Sequence, residues 1–123
     1  MPLAHVAVNV TDFEAAKAFY QGALEPLGYR VVYEEPGALA YLADANGLDF
    51  GIGRRSPVGG AHVAFECDER SAVDSFYVAA IAAGGTDNGA PGLRPQYAAE
   101  YYAAYVLDPD GNNIEAVCHH PPS

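Results

Sequence analysis

The chain contains one pattern written twice, and this repeat limits what it can fold into. Residues 5–29 align without a gap on residues 62–86, and eight of the 25 aligned positions are identical. Both copies open with the tripeptide His-Val-Ala, at His5 and at His62. A repeat of this length indicates a supersecondary unit used twice. The fold is therefore expected to be a duplication, with the two histidines at equivalent positions.

The later part of each copy also matches, after a shift. The two histidines are 57 residues apart (62 − 5), whereas the matching Tyr41 and Tyr105 are 64 apart (105 − 41). The second copy therefore has seven more residues, and we predict that they form an irregular loop at 87–100. In this register Glu115 aligns with Gly51. Four positions are then equivalent, and all but Gly51 hold residue types that bind metals.

Hydrophobic periodicity predicts the order β-α-β-β-β in each copy. A helix is expected to begin after an N-cap at Thr11 or Asp12 and to stop at Gly28. Because strand side chains alternate between faces, parity places each of the four equivalent positions on the less apolar face of its strand. The expected strands of the first copy are 5–10, 29–34, 38–43 and 48–53, and the second copy has a helix at 71–83 and strands at 62–67 and 112–118.

These elements predict an α+β fold in which residues 1–123 form one domain of two tandem modules. The first module is 1–53, the linker 54–61 and the second module 62–118, followed by a frayed tail at 119–123. The apolar face of each sheet is expected to pack on a helix. The curled mixed sheets would then surround a concave site, with the helices outside.

Composition excludes several classes of function. The net charge is −10 with only six Lys and Arg, which argues against binding to nucleic acid or to anionic membranes. No apolar run approaches the roughly 20 residues that span a membrane, and no signal-like segment opens the chain. Two cysteines do not make a disulfide framework. These features favour a cytoplasmic protein with a small-molecule substrate.

The equivalent positions predict a metal site. Two imidazoles and one carboxylate, from His5, His62 and Glu115, are the minimal set that holds a divalent ion and leaves coordination positions open. We expect one ion per site, of Zn, Mn, Ni or Fe. The position of Gly51 is a vacant fourth-ligand position. The alternative is that the histidines merely begin their strands and that Glu115 is solvated.

Other side chains could act beside the metal. Their positions on the pocket face or near the insertion suggest an aromatic wall with one cation for an anionic substrate. The alternatives are a loop anchored by aromatic side chains, and a rim carboxylate at Glu66. The tail residues His119 and His120 are interpreted as solvated. The candidate catalytic residues are Glu66, Tyr97 and Tyr101, and the candidate substrate-binding residues are Arg94, Tyr102, Tyr105 and Asp49.

The duplicated modules, their His-Val-Ala starts and the segment LDPDGNNIEAV at 107–117 resemble the vicinal oxygen chelate superfamily. This group contains glyoxalase I, fosfomycin-resistance, bleomycin-resistance and extradiol dioxygenase proteins, and the resemblance covers nearly the whole chain. It implies paired modules around a metal, usually in a homodimer, with ligands at His5, His62 and Glu115. Glyoxalase I enzymes have a fourth ligand, normally a glutamate, where this chain has Gly51. That departure argues against glyoxalase I activity and favours a three-ligand site.

The expected function is that of a small metalloenzyme whose ion polarises oxygen atoms of a substrate, in a lyase-, thiol transferase- or isomerase-like reaction. One alternative is a protein similar to the bleomycin-resistance branch, which binds a small ligand or drug without metal or turnover. Another is an enzyme that has lost catalysis and keeps its metal as a structural clip. Metal content separates the first two hypotheses.

Overall fold

The structure is a computed structural model that describes residues 4–122. It confirms an α+β fold with one sheet in each module. The first module consists of β1 (His5–Val10), α1 (Phe13–Leu24), a 3-10 turn (Glu25–Leu27), β2 (Arg30–Glu35), β3 (Leu39–Ala43) and β4 (Asp49–Arg54). The second consists of β5 (His62–Cys67), α2 (Arg70–Ala82), β6 (Thr86–Asp87), β7 (Gly92–Leu93), β8 (Tyr102–Leu107) and β9 (Asn113–Cys118).

The two sheets repeat one topology. Their strand orders are β1-β4-β3-β2 and β5-β9-β8-β6, with β7 paired to β8. The first strand of each module is parallel to the last, with Ala7 opposite Gly51 and Ala64 opposite Glu115. The backbone register therefore confirms that Glu115 stands where the first module has Gly51. The strands β1 and β5 are sheet edges.

Three details differ from the sequence prediction. The insertion is not wholly irregular, because β6 and β7 each pair with β8. The first helix ends at Leu24, and the 3-10 turn carries the chain on to Gly28, whose positive φ of 85° ends it. The tail is also tied down at its start, because the guanidinium of Arg70 donates to the carbonyl of His120 at 3.2 Å.

The helices of the two modules pack on each other and on the apolar faces of both sheets. The backbone amide of Ala15 donates to Asp12, which caps α1 as predicted. A side chain at Gly22 would come within 2.7 Å of the Ala83 methyl group, so this glycine permits the close approach of the helices. One core cluster spans both modules, and the ring of Phe50 meets that of Phe65 at 5.3 Å.

A buried carboxylate links the modules. Asp108, at the turn between β8 and β9, is 3% exposed and accepts a 2.5 Å hydrogen bond from the hydroxyl of Tyr20 on α1. It also accepts bonds from the backbone amides of Asp110 and Asn112 and from the Asn112 side chain. A further hydrogen bond ties the turn to the linker, because the amide of Asn113 donates to the carbonyl of Ala61 at 2.8 Å. Asp108 therefore holds the turn that starts β9.

Gly51 is covered by an aromatic ring. Tyr41 lies opposite Gly51 in the β3–β4 pair, as Tyr105 lies opposite Glu115 in the β8–β9 pair. A Cβ atom added to Gly51 would be 2.4 Å from the Tyr41 ring, well inside van der Waals contact. The tyrosine ring thus covers the position from which a fourth ligand would extend.

The two cysteines are buried and unpaired. They are register partners at the ends of β5 and β9. Burial raises the pKa of the Cys67 thiol to about 12, so the nucleophilic thiolate is suppressed. Within residues 4–122, no helix has the length and apolarity needed to cross a membrane.

We expect Tyr20→Phe to lower the free energy of unfolding by about 1–3 kcal/mol, because Asp108 loses a buried donor. Urea unfolding measures the change. The matched control is Tyr33→Phe, which removes a hydroxyl that donates to Glu35 on the exposed face of β2. The control should change stability by less than about 0.5 kcal/mol. Equal losses in the two variants would contradict this role of Asp108.

The effect of Tyr20→Phe on stability should also depend on pH in the alkaline range. Burial, and secondly the charge of Asp108, raise the pKa of Tyr20 far above its ordinary value of 10.0. Because the folded state holds this proton more tightly than the unfolded chain does, the stabilisation is complete below about pH 10 and falls as the pH rises further. The stability of the wild-type protein should therefore decline above pH 10 more steeply than that of Tyr20→Phe.

A second prediction concerns Gly51. We expect Gly51→Ala to cost about 1–3 kcal/mol, because its methyl group overlaps the ring of Tyr41. In a Tyr41→Ala background the overlap is gone, and the same change should be neutral or slightly stabilising, since alanine is favoured over glycine within a strand. A double-mutant cycle by chemical denaturation measures the coupling. An equal cost in both backgrounds would show that Tyr41 does not fill this position.

Candidate metal centre

The second module brings two predicted ligands together. His62 on β5 and Glu115 on β9 project from the same face of neighbouring strands. Nε2 of His62 lies 2.9 Å from Oε1 of Glu115. The Glu115 side chain is 2% exposed, whereas the imidazole is 53% exposed. The pair therefore combines a buried carboxylate with an imidazole that is accessible to solvent.

Two tyrosines cover the carboxylate. The hydroxyl of Tyr101, just before β8, donates to Oε2 of Glu115. Tyr105, on β8, lies directly opposite Glu115 in the register. Burial raises the pKa of both phenols, and the charge of Glu115 adds to each shift. Both tyrosines therefore stay protonated at neutral pH and remain able to donate hydrogen bonds.

The insertion adds a cation and a further ring beside this pair. The guanidinium of Arg94 stacks over the ring of Tyr105 at 5.3 Å and donates to the carbonyl of Ala90 at 2.8 Å. Tyr97 is 64% exposed and meets the ring of Tyr101 edge-on at 5.1 Å. Arg94 and Tyr97 therefore each contact one of the two tyrosines that cover Glu115, and their role toward a substrate stays a prediction.

The structure gives contacts for a residue that the sequence analysis assigned to the tail. The ring of His119 meets Tyr101 edge-on at 5.2 Å, and its Nδ1 lies 3.2 Å from Oε2 of Glu66. The His119 side chain is 45% exposed, as expected for a solvated position, but it also contacts the candidate site. Continued alternation from Glu115 through Val117 places His119 on the same face, and this signal was available in the sequence.

The first module keeps its candidates apart from this cluster. His5 and Asp49 are register partners on β1 and β4, and the His5 ring meets the edge of Tyr41 at 5.8 Å. In the part of the chain that the structure describes, no three His, Cys, Asp or Glu side chains are close enough together to hold a metal ion. One chain therefore assembles two of the three predicted ligands, and His5 is not among them.

Tyr102 is another predicted site residue that lies away from the cluster around Glu115. Strand alternation turns it to the opposite face from Tyr101 and Tyr105. Its hydroxyl donates to Asp74 of α2 at 2.6 Å, and the guanidinium of Arg70 lies over its ring at 5.1 Å. Its position between β8 and α2 corrects the expectation that it faces a substrate.

The placement of His62 and Glu115 fits a metal ion. Two ligand atoms that each bind at about 2.1 Å are about 3.4 Å apart at the tetrahedral angle and about 3.0 Å apart at the right angle of octahedral sites, so the 2.9 Å seen here is closer to the octahedral spacing. The donor types, imidazole nitrogen and carboxylate oxygen, suit several divalent transition metals. The same two groups also satisfy each other directly, because Nε2 can donate to Oε1 without an ion.

Comparisons with known proteins agree with this architecture. The model of the Glyoxalase/Bleomycin resistance protein/Dioxygenase superfamily matches residues 3–116. A glyoxalase/bleomycin resistance protein from Albidiferax ferrireducens has a similar structure, with 32% identity, a TM-score of 0.82 and coverage of 97% of this chain and 98% of that chain. A search of curated protein sequences gave no match.

More distant structures share the fold. Lactoylglutathione lyase from Agrobacterium tumefaciens is 22% identical, with a TM-score of 0.72 and coverage of 95% of this chain and 92% of that chain. A mutant of the fosfomycin resistance protein FosX from Listeria monocytogenes, in complex with Mn(II) and a dihydroxypropylphosphonic acid, is 22% identical, with a TM-score of 0.72 and coverage of 94% and 88%. Because the family model matches residues 3–116, this chain belongs to the glyoxalase/bleomycin resistance/dioxygenase superfamily, the vicinal oxygen chelate group.

Proposed function

We propose that this protein is a cytoplasmic, homodimeric metalloenzyme that binds and polarises oxygen atoms of a small substrate at one divalent ion per site. Its ligands would be His62 and Glu115 of one chain and His5 of a second copy. The observation that carries the proposal is the 2.9 Å approach of His62 to the buried Glu115. The reaction would be of the lyase, thiol transferase or isomerase type.

The second copy is invoked because of where the histidines lie. His5 and His62 are both exposed and both lie on edge strands, β1 and β5, of sheets that are not hydrogen-bonded to each other. An edge strand offers unpaired backbone groups to another chain. A two-fold dimer that brings β1 of one copy beside β5 of the other would complete two identical sites.

The surrounding side chains would bind the substrate rather than the metal. Arg94 supplies the positive charge nearest to Tyr105, and Tyr97 supplies an exposed aromatic surface. A protonated Tyr105 can donate a hydrogen bond to a substrate oxygen. These groups favour a small anionic substrate, as in the sequence-based hypothesis.

The metal, when bound, would supply Lewis-acid stabilisation of charge that develops on a substrate oxygen. Gly51 gives no side chain for proton transfer, and the Tyr41 ring covers its position. The fourth-ligand glutamate typical of glyoxalase I therefore has no counterpart at this position. Glu66, which His119 contacts at 3.2 Å, lies on the same face of β5 as His62 and is the remaining candidate for a base.

One observation favours a second candidate function. Both oxygens of Glu115 already have hydrogen-bond partners, and within residues 4–122 no buried side-chain nitrogen or oxygen atom lacks one. A site that is satisfied without an ion suits a protein that sequesters a small aromatic anion without turnover. The metal content of the protein separates this candidate from the first.

We expect untagged protein to contain about one divalent ion per chain, measured by elemental analysis after native purification. His62→Ala and Glu115→Gln should each abolish stoichiometric binding, because the site loses one of its three ligands. The matched control is His120→Ala, which removes an exposed imidazole in the tail. A wild-type protein that stays free of Mn, Ni, Zn and Fe after reconstitution would instead support the binding protein.

Mixing two defective variants tests the shared site. His5→Ala and Glu115→Gln chains, each carrying a different histidine-free tag, are mixed. The heterodimer is then isolated by purification on both tags. If the site spans two chains, one of its two sites carries both substitutions and the other is intact. We therefore expect about half an ion per chain in the heterodimer and none in either parent.

The control pair for the mixing experiment is His62→Ala with Glu115→Gln. Both substitutions lie in the same module, so neither site of that heterodimer is intact and no binding should return. Failure of the first pair to recover metal, with both parents dimeric, would place the site within one chain or refute it.

A further inference from the structure

We propose that Tyr101 is a positioning residue for the metal ligand Glu115. Its hydroxyl donates a hydrogen bond to Oε2 of the carboxylate. Glu115 would then bind the ion through Oε1 alone, the oxygen that faces His62. The inference rests on the function proposed above, because it requires Glu115 to be a ligand. It concerns a residue that follows the insertion, outside the three ligand positions of the repeat.

The two oxygens of Glu115 have different partners. Oε1 faces Nε2 of His62 at 2.9 Å, and Oε2 accepts the hydrogen bond of Tyr101. The carboxylate is almost wholly buried, so it has no solvent to replace a lost partner. Rotation of this carboxylate toward an ion would move Oε2 from the position in which it accepts the bond of Tyr101, so the hydroxyl favours binding through Oε1.

Tyr101 is itself fixed from several sides. Its ring lies edge-on to Tyr97 at 5.1 Å and to His119 at 5.2 Å. Its backbone carbonyl accepts a 2.7 Å hydrogen bond from the amide of Arg94, and its amide donates to Ala98 at 3.3 Å. These contacts hold the phenol on the ligand face even though it precedes the strand.

The way in which Glu115 binds would determine how many coordination positions of the ion stay open to a substrate. A carboxylate that binds through one oxygen leaves free a position that its second oxygen would otherwise occupy. Hydrogen-bond partners behind metal ligands commonly change metal affinity by about 10- to 100-fold when removed. Tyr101 would therefore orient the ligand and keep a position free for a substrate oxygen.

The test is Tyr101→Phe, which removes the hydroxyl and keeps the ring between Tyr97 and His119. Co²⁺ is the probe, because its visible absorption reports coordination number and ligand geometry. Competition with a chelator gives the dissociation constant, and thermal unfolding checks the fold. The matched control is Tyr33→Phe, which removes a hydroxyl–carboxylate hydrogen bond of 2.7 Å on β2, outside the site.

We expect Tyr101→Phe to bind Co²⁺ at unchanged stoichiometry, with affinity about 10- to 100-fold weaker and an altered absorption spectrum. Tyr33→Phe should match the wild type. An unchanged affinity and spectrum in Tyr101→Phe would overturn the proposal, and so would tighter binding, since the hydroxyl would then compete with the ion. A wild-type protein that binds no Co²⁺ refutes the proposed function itself, and this inference with it.

Discussion

The buried carboxylate of Asp108 is the constraint on which the rest of the structure depends. It accepts the Tyr20 hydroxyl from the first module and three donors from the turn that begins β9. A buried carboxylate without such partners would cost several kcal/mol. The turn is therefore fixed in one geometry, and because strand register follows from the turn, so is the face on which Glu115 lies. Helix docking and site geometry thus depend on one group.

The two modules share a backbone plan but differ in chemistry at the same point. In the first, glycine at 51 lets the ring of Tyr41 lie against the strand. In the second, the side chain of Glu115 occupies that place, and Tyr105 shares the face with it. Only the second module has the insertion, which supplies Arg94 and is followed by Tyr101, the residue that donates to the carboxylate. The repeat therefore gives each module a histidine, while the carboxylate and its surroundings belong to one module alone.

The repeat and the strand alternation were enough to predict the sheets, the helices and the faces of His5, His62 and Glu115. These follow from local periodicity, which acts over a few residues. The contacts of His119 with Glu66 and Tyr101 were missed because the end of a strand was judged by its terminal position rather than by parity. The separation of His5 from the other two predicted ligands could not be predicted, because module packing depends on long-range contacts between helices that periodicity does not encode.

That separation also has an energetic side in the proposed dimer. With two ligands on one chain and the third on its partner, the free energy of ion binding contributes to association, and the two equilibria favour each other reciprocally. Each chain carries a net charge of −10, so two copies repel at low ionic strength. An ion of charge +2 at each shared site reduces that repulsion where the chains meet. Incomplete ligation within one chain would therefore couple assembly of the proposed dimer to binding of the proposed ion.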